Sequence, residues 1–268
     1  MVFENISNTA MAGMIISLVI SFVVPIGALL YMIIKRNAKV SVFFIGCGVF
    51  FVFAFILESL FHLAVASATG GAVFSNVFIT AIYGGLAAAA FEETGRLIAM
   101  KFLMKNKLTS DNAIMYGAGH GGIEAIITVG ITEITYISIA TMINAGQVDA
   151  ILAPLQGDAK ESMITMISQL CSTPSNIFYL AGIERVFAIA SHIALSYFVF
   201  MAVKYGEKKC LMLAYGLHFL LDASTVIVNS LVNNAYIVEL YVLAVTAGII
   251  YNAIHFKNQL NVDTEEEC

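Results

Sequence analysis

Charge is scarce in this sequence. Asp, Glu, Lys and Arg make up 12% of its 268 residues, against 60% hydrophobic residues, whereas a soluble domain carries roughly a quarter charged and half apolar. No aqueous fold hides that much apolar surface, so the solvent is lipid and a water-soluble globular domain is excluded. Cysteine is sparse and unpatterned: Cys47, Cys171, Cys210 and Cys268 form no C-x-x-C pair, which excludes a disulfide framework and a zinc knuckle. A basic footprint is missing too. The net charge is −5, and the run Asp263-Thr264-Glu265-Glu266-Glu267 supplies four of the negative groups, so nucleic-acid binding is not expected. No Lys or Arg precedes the apolar run Met11 to Ile34, which is long enough to span; an uncleaved first helix is expected rather than a signal peptide. With Cys268 last, the chain itself holds no C-a-a-X prenylation box. No internal repeat is evident, and an odd number of spans argues against a simple inverted-repeat transporter.

What is present is a series of long apolar runs. Taking about 20 residues per span at about 1.5 Å rise per residue, the candidates are approximately 11–34, 40–66, 73–100, 112–143, 176–203, 210–233 and 235–256. The expected fold is all-α: one polytopic transmembrane bundle over 1–268 of about seven helices, with a catalytic core at about 73–233. The runs are continuous rather than alternating, which disfavours a β-barrel. Lys35, Arg36, Lys39, Lys101, Lys105, Lys107, Lys204, Lys208, Lys209 and Lys257 then fall on one face, and Lys160 alone on the other. The positive-inside rule puts the N-terminus outside and the C-terminus, with an acidic tail at 257–268, in the cytoplasm. The extracytoplasmic loop 144–175 contains Met163-Ile164-Thr165-Met166-Ile167, which could be an amphipathic interfacial helix or lid. The expected location is the cell membrane, a bacterial plasma membrane, with the bilayer and a membrane protein or peptide as partners.

Ionisable groups inside spans are expensive and mark functional sites by default. Here they include Glu58, His62, Glu92, Glu93, Arg96, His120, Glu124, Glu133, Glu184, Arg185, His192, His218, Asp222 and Glu239. Counting from the nearest charged span end, Glu92, His120 and His218 each lie about 13 Å along their helices. His192 falls near 18 Å, and Glu124 and Asp222 near 20 Å, so one polar centre could collect all of them. His120 and Glu124 are i,i+4, as are His218 and Asp222, so each pair shares a helix face. Such a pair can put an imidazole on a metal with the carboxylate as co-ligand or orienter. Glu92 and Arg96 share a face as well, and the guanidinium can neutralise one acid. In Gly117-Ala118-Gly119-His120-Gly121-Gly122 the glycines let a neighbouring helix or a substrate backbone approach His120 closely. Neutral imidazoles and a carboxylate suit Zn²⁺, and a further carboxylate can take a proton from water. Isolated polar residues such as Glu58, His62, Glu133 and Glu239 are read instead as bonds across helices. The pair Glu184-Arg185 can equally be a neutralised interhelical pair.

Through these residues the sequence resembles the YhfC family of intramembrane metallopeptidases, relatives of the CAAX-processing (ABI) and PrsW-type membrane peptidases. The matching segments are Glu92-Glu93-Thr94-Gly95-Arg96, Gly119-His120-Gly121-Gly122-Ile123-Glu124, Glu184-Arg185 with His192, and His218-Phe219-Leu220-Leu221-Asp222. The resemblance implies catalytic Glu92, Glu93 and Arg96, with Glu92 activating water, and zinc held by His120, His192 and His218. It leaves Glu124, Asp222, Glu184 and Arg185 as supporting groups or alternative ligands. CAAX-type relatives have Phe-x-x-x-His in the second motif. Here Tyr116 takes the aromatic place and Glu124 is added, so either His120 or Glu124 contacts the metal and no prenylated substrate is implied. The expected function is zinc-dependent cleavage of a membrane-associated or membrane-spanning peptide. The rivals are a proton- or ion-coupled transporter, since buried acids and histidines also serve as proton relays, and an inert peptidase-like protein that binds a partner.

Overall fold

A computed structural model describes residues 3–262; the acidic run 263–267 and Cys268 lie outside the described residues. Nine α-helices account for most of them: α1 Asn8–Arg36, α2 Val40–Thr69, α3 Val77–Ile98, α4 Ser110–Asn144, α5 Val148–Leu152, α6 Gly157–Ser172, α7 Ser175–Lys204, α8 Lys208–Val232 and α9 Ala235–Gln259. No strand occurs among the described residues. Six helices, α1, α2, α4, α7, α8 and α9, are long and apolar enough to cross a membrane. The protein is therefore an all-helical multi-pass membrane protein. The expected third span corresponds to α3 and falls outside that six, because Glu92, Glu93 and Arg96 near its end lower its hydropathy.

The helix ends are explained locally. The side-chain oxygen of Asn76 accepts from the backbone N–H of Phe78 at 2.9 Å and caps α3, and that of Asn234 accepts from Tyr236 at 3.0 Å and caps α9. Helix α2 stops at Gly70, whose φ of 58° lies in the left-handed region that glycine enters at no steric cost. Three π-helical stretches interrupt the regular helices: Phe51–Glu58 within α2, Ala99–Leu103 after α3 and Ile126–Gly130 within α4. Each lies within a few residues of one of the charged groups singled out above, and π-bulges are commonly found where a helix serves a site.

The chain groups into two compact units. One is formed by residues up to Val23 with Ala125–Arg185, and the other by Val24–Glu124 with the chain from Val186 onward. In the first, Met14, Ile139, Ile143, Ile167, Leu170 and Phe178 form the buried core. The expected amphipathic stretch 163–167 is found inside the longer α6, whose Ile167 and Leu170 bury against that core. Asn144 ties the start of the chain to the end of α4: its amide oxygen accepts from Ile6 N–H at 2.7 Å and its NH₂ donates to Ile6 C=O at 3.0 Å.

In the second unit, Met100, Met104, Met115, Tyr116, Leu195, Phe198 and Phe200 are buried in one apolar cluster. Outward-facing positions carry large apolar side chains such as Phe44, Phe102, Leu63, Leu240 and Tyr251, the surface that lipid rather than water tolerates. The glycines of α4 pack as their small size predicts. A Cβ on Gly117 would sit 2.5 Å from Cα of Ile193 in α7, one on Gly122 2.5 Å from Cβ of Pro25 in α1, and one on Gly119 would run into the backbone carbonyl of Phe43 in α2. Close approach of three helices thus brings their backbones around His120.

Candidate metal centre

Helices α3, α4, α7 and α8 each deliver part of one buried cluster in the second unit. From α3 come Glu92, Glu93 and Arg96, from α4 His120 and Glu124, from α7 His192, and from α8 His218 and Asp222. Arg96 and His120 are wholly inaccessible, Glu93 equally so, and Glu92, His192 and His218 are buried. The i,i+4 spacing read from the sequence puts Asp222 Oδ2 at 3.4 Å from His218 Nε2, and Arg96 Nη2 at 3.6 Å from Glu92 Oε2.

The hydrogen bonds fix who holds whom. Glu92 Oε2 lies 2.8 Å from His120 Nε2 and 3.7 Å from His192 Nδ1, while Oε1 is 3.9 Å from His218 Nε2, so this carboxylate faces all three imidazoles. Arg96 pairs with Glu93 through Nη1 and, through Nη2, donates to His192 Nδ1 at 2.7 Å. A guanidinium has no acceptor. Nδ1 of His192 is therefore unprotonated, and Nε2 lies 2.5 Å from Glu124 Oε2. His218 donates from Nδ1 to Glu93 Oε1 at 2.7 Å. Glu93 is thus part of the same cluster as Glu92. His120 Nδ1, buried, has no hydrogen-bond partner, an exception among buried polar atoms that calls for a ligand or an explanation. Phe50 and Tyr116 wall His120 in, Phe50 edge-on at 5.3 Å between ring centroids and Tyr116 tilted at 6.0 Å. Sequence reading missed Phe50, because a phenylalanine in an apolar span carries no distinguishing signal.

One donor atom from each of Glu92, His120 and His192 lies within 4.8 Å of the others. Two imidazoles and a carboxylate are a ligand set that catalytic zinc accepts. Bonds of about 2.1 Å in tetrahedral array separate neighbouring ligand atoms by about 3.4 Å, so a cation requires only a modest contraction. The charge balance points the same way. Four carboxyl groups, Glu92, Glu93, Glu124 and Asp222, surround a single fixed cation, Arg96, and uncompensated buried charge is costly. Glu124 lies against the far nitrogen of His192, the position from which a carboxylate could orient a metal-binding imidazole. His218 stands at the edge of the tight group, held by Glu93.

The remaining sequence candidates lie elsewhere. Glu184 pairs with Arg185 at 2.5 Å, and Arg185 Nη1 reaches Thr128 Oγ1 at 3.3 Å within the first unit. His62 bonds Glu58 on its own helix at 3.2 Å and Tyr83 of α3 at 2.7 Å, an interhelical bond of the kind expected for it. The fifth histidine, His255, which is not among those candidates, lies at the end of α9 against Gln259 at 2.9 Å.

Comparison with known proteins agrees with this geometry. The family model described as YhfC intramembrane metalloprotease matches residues 20–242, which contain the whole cluster. A protein of Bacillus subtilis (strain 168), "Uncharacterized membrane protein YhfC", is 37% identical over 250 residues, covering 92% of this chain and 96% of the relative. No solved structure matches.

Proposed function

Because the chain belongs to the YhfC family of intramembrane metalloproteases, we propose that it is a zinc-dependent endopeptidase cutting a membrane-associated or membrane-spanning peptide. The observation that carries this reading is the convergence of Glu92, His120 and His192 from three helices to within 4.8 Å, in a buried cluster rich in carboxylates. These three would hold the ion. When bound, zinc supplies Lewis-acid polarisation of the scissile carbonyl and eases deprotonation of water. The chain's own residues do the rest. Glu124, beside His192 and the most accessible acid of the cluster after Asp222, accepts the proton from water. Arg96, anchored on Glu93, holds that acid in place and offers its guanidinium to the negative charge that develops on the carbonyl oxygen. A cation at His192 Nδ1 requires Arg96 to give up its bond to that nitrogen and rest on Glu93. The aromatic and apolar wall of Phe50 and Tyr116 keeps bulk water from His120.

A second reading rests on one fact, that Glu92 faces all three imidazoles. There Glu92 is the base and His218 replaces it as ligand. Glu92→Gln separates the two, with metal content measured on detergent-purified protein beside cleavage of a membrane substrate. If Glu92 is a ligand, the variant loses both stoichiometric zinc and activity. If it is the base, zinc stays and activity drops roughly 10²-fold or more. Glu124→Gln should keep zinc and lose activity in the first case. Wild-type cleavage by Glu92→Gln would exclude both roles, and full activity after chelation would exclude the metal altogether, leaving the Glu92–His120 pair to activate water unaided.

A further inference from the structure

A second, amphipathic site lies at the end of the second unit that carries most of the lysines and arginines, and none of the cluster residues lines it. Arg36, at the C-terminus of α1, is shared by two adjoining cavities. One, of about 500 Å³, is polar: Arg36, Lys39 and Lys204 contribute cationic side chains, with Asn112 and Asp111 among the other polar groups. The second, of about 310 Å³, is an apolar slot between α1, α4, α7 and α9, walled by Ile114, Ala190, Ile193, Ala194 and Ile250, with Lys257 at its rim. Both volumes fall in the range of small-molecule sites, roughly 300–1,000 Å³.

The polar cavity is a built one. Asp111 accepts from Arg36 Nε at 2.8 Å, which fixes the guanidinium at the junction of the two cavities. Asn112 Oδ1 accepts from Lys39 N–H at 2.8 Å, its Nδ2 donates to Lys107 C=O at 2.8 Å, and so the loop that presents Lys39 is held against the start of α4. Ser110 and Tyr197, bonded to each other at 2.7 Å, line the apolar slot. Asp111 is the one acid in the polar cavity, against three cations, so the cavity favours an anion. The slot beside it is lined by small and branched apolar side chains, and Ile254 on its wall faces outward, half-exposed to lipid. An anionic group continuous with an aliphatic chain satisfies both halves at once.

The geometry points to an anionic phospholipid as the occupant, its phosphate among Arg36, Lys39 and Lys204 and one acyl chain in the slot against α7 and α9. Basic pockets between transmembrane helices are recognised sites for anionic headgroups. Free phosphate would fill only the polar half, and a zwitterionic lipid would meet three cations with no net charge.

The test is thermal unfolding of the full chain in detergent, titrated separately with phosphatidylglycerol, phosphatidylcholine and inorganic phosphate. Phosphatidylglycerol should raise the melting temperature, and the other two should not. Lys204→Gln should weaken the phosphatidylglycerol midpoint about fivefold, the usual effect of one cation near an anionic lipid. Ala190→Phe, which fills the slot and leaves every charge in place, should remove the shift measured against the variant's own lipid-free baseline. Equal stabilisation by phosphatidylcholine, stabilisation by phosphate alone, or a phosphatidylglycerol shift unchanged in both variants would overturn the proposal.

Discussion

His120 sits between helices that touch backbone to backbone, and glycine makes that possible. At Gly119 an added methyl meets the Phe43 carbonyl, a backbone group that cannot swing aside, so Gly119→Ala should destabilise the protein by about 1–3 kcal/mol, the usual cost of overpacking. Gly216 in α8 has nothing within 4 Å of the same position. Gly216→Ala should therefore be neutral or stabilising by about 0.5–1 kcal/mol, since alanine is the better helix former. Paired melting curves in detergent compare the two, and an equal loss from both would show that packing at His120 is not what Gly119 serves. Charge is handled with the same economy at Arg96, which is fully buried and touches Glu93, Glu92 and His192. Arg96→Met leaves Glu93 buried without its cation, and folded yield should fall sharply, because breaking a buried pair on one side costs about 3–5 kcal/mol. Arg96→Met with Glu93→Gln should recover part of that yield. No recovery would mean that the arginine is needed for more than neutralising Glu93.

Helix α6 shows how an element is held when its own sequence is a weak guide. Its N-cap, Gln156, makes no side-chain capping bond, so nothing in the local sequence announces the start, and only the apolar stretch 163–167 stood out. Pro174, two residues past the last helical residue, explains the stop. Docking supplies the remainder, through Ile167 and Leu170 in the core of the first unit. Ile167→Ala should cost about 2–5 kcal/mol and open α6 to limited proteolysis. The same proteolysis on Ser168→Ala, at an exposed position, should give the wild-type pattern. Cleavage of α6 no faster in Ile167→Ala than in Ser168→Ala would mean that the helix is held from elsewhere. The Asn144 bonds to Ile6 tie the chain's start to α4 in the same unit, each worth about 1 kcal/mol.

The molecule as a whole is defined by how many times it crosses the bilayer. We propose seven crossings with α3 as the third, since six helices meet the length and composition required and α3 falls short only through the acids and arginine of the cluster. With seven crossings, ten lysines and arginines would lie on one side and Lys160 on the other, which would put the side with the ten in the cytoplasm. Cysteines introduced at Asn5 and Asn261 should be labelled from opposite faces, and labelling from the same face would exclude the odd count. Composition determined that the chain lies in a membrane, because a hydrophobic content of 60% with so few charges has no stable arrangement in water, and the continuous apolar runs determined that it is helical. Spacing and depth along the helices also predicted that Glu92, His120, His192 and His218 meet, since a helix has a fixed rise and lipid admits ionisable groups only where they find one another. What only the tertiary structure decided is the partner of each nitrogen and oxygen. Helix rotation and crossing depend on how side chains from distant segments pack, and no local pattern encodes whether His192 turns Nδ1 to Arg96 and Nε2 to Glu124, or whether Glu93 holds His218 beside the Glu92–His120–His192 group rather than within it.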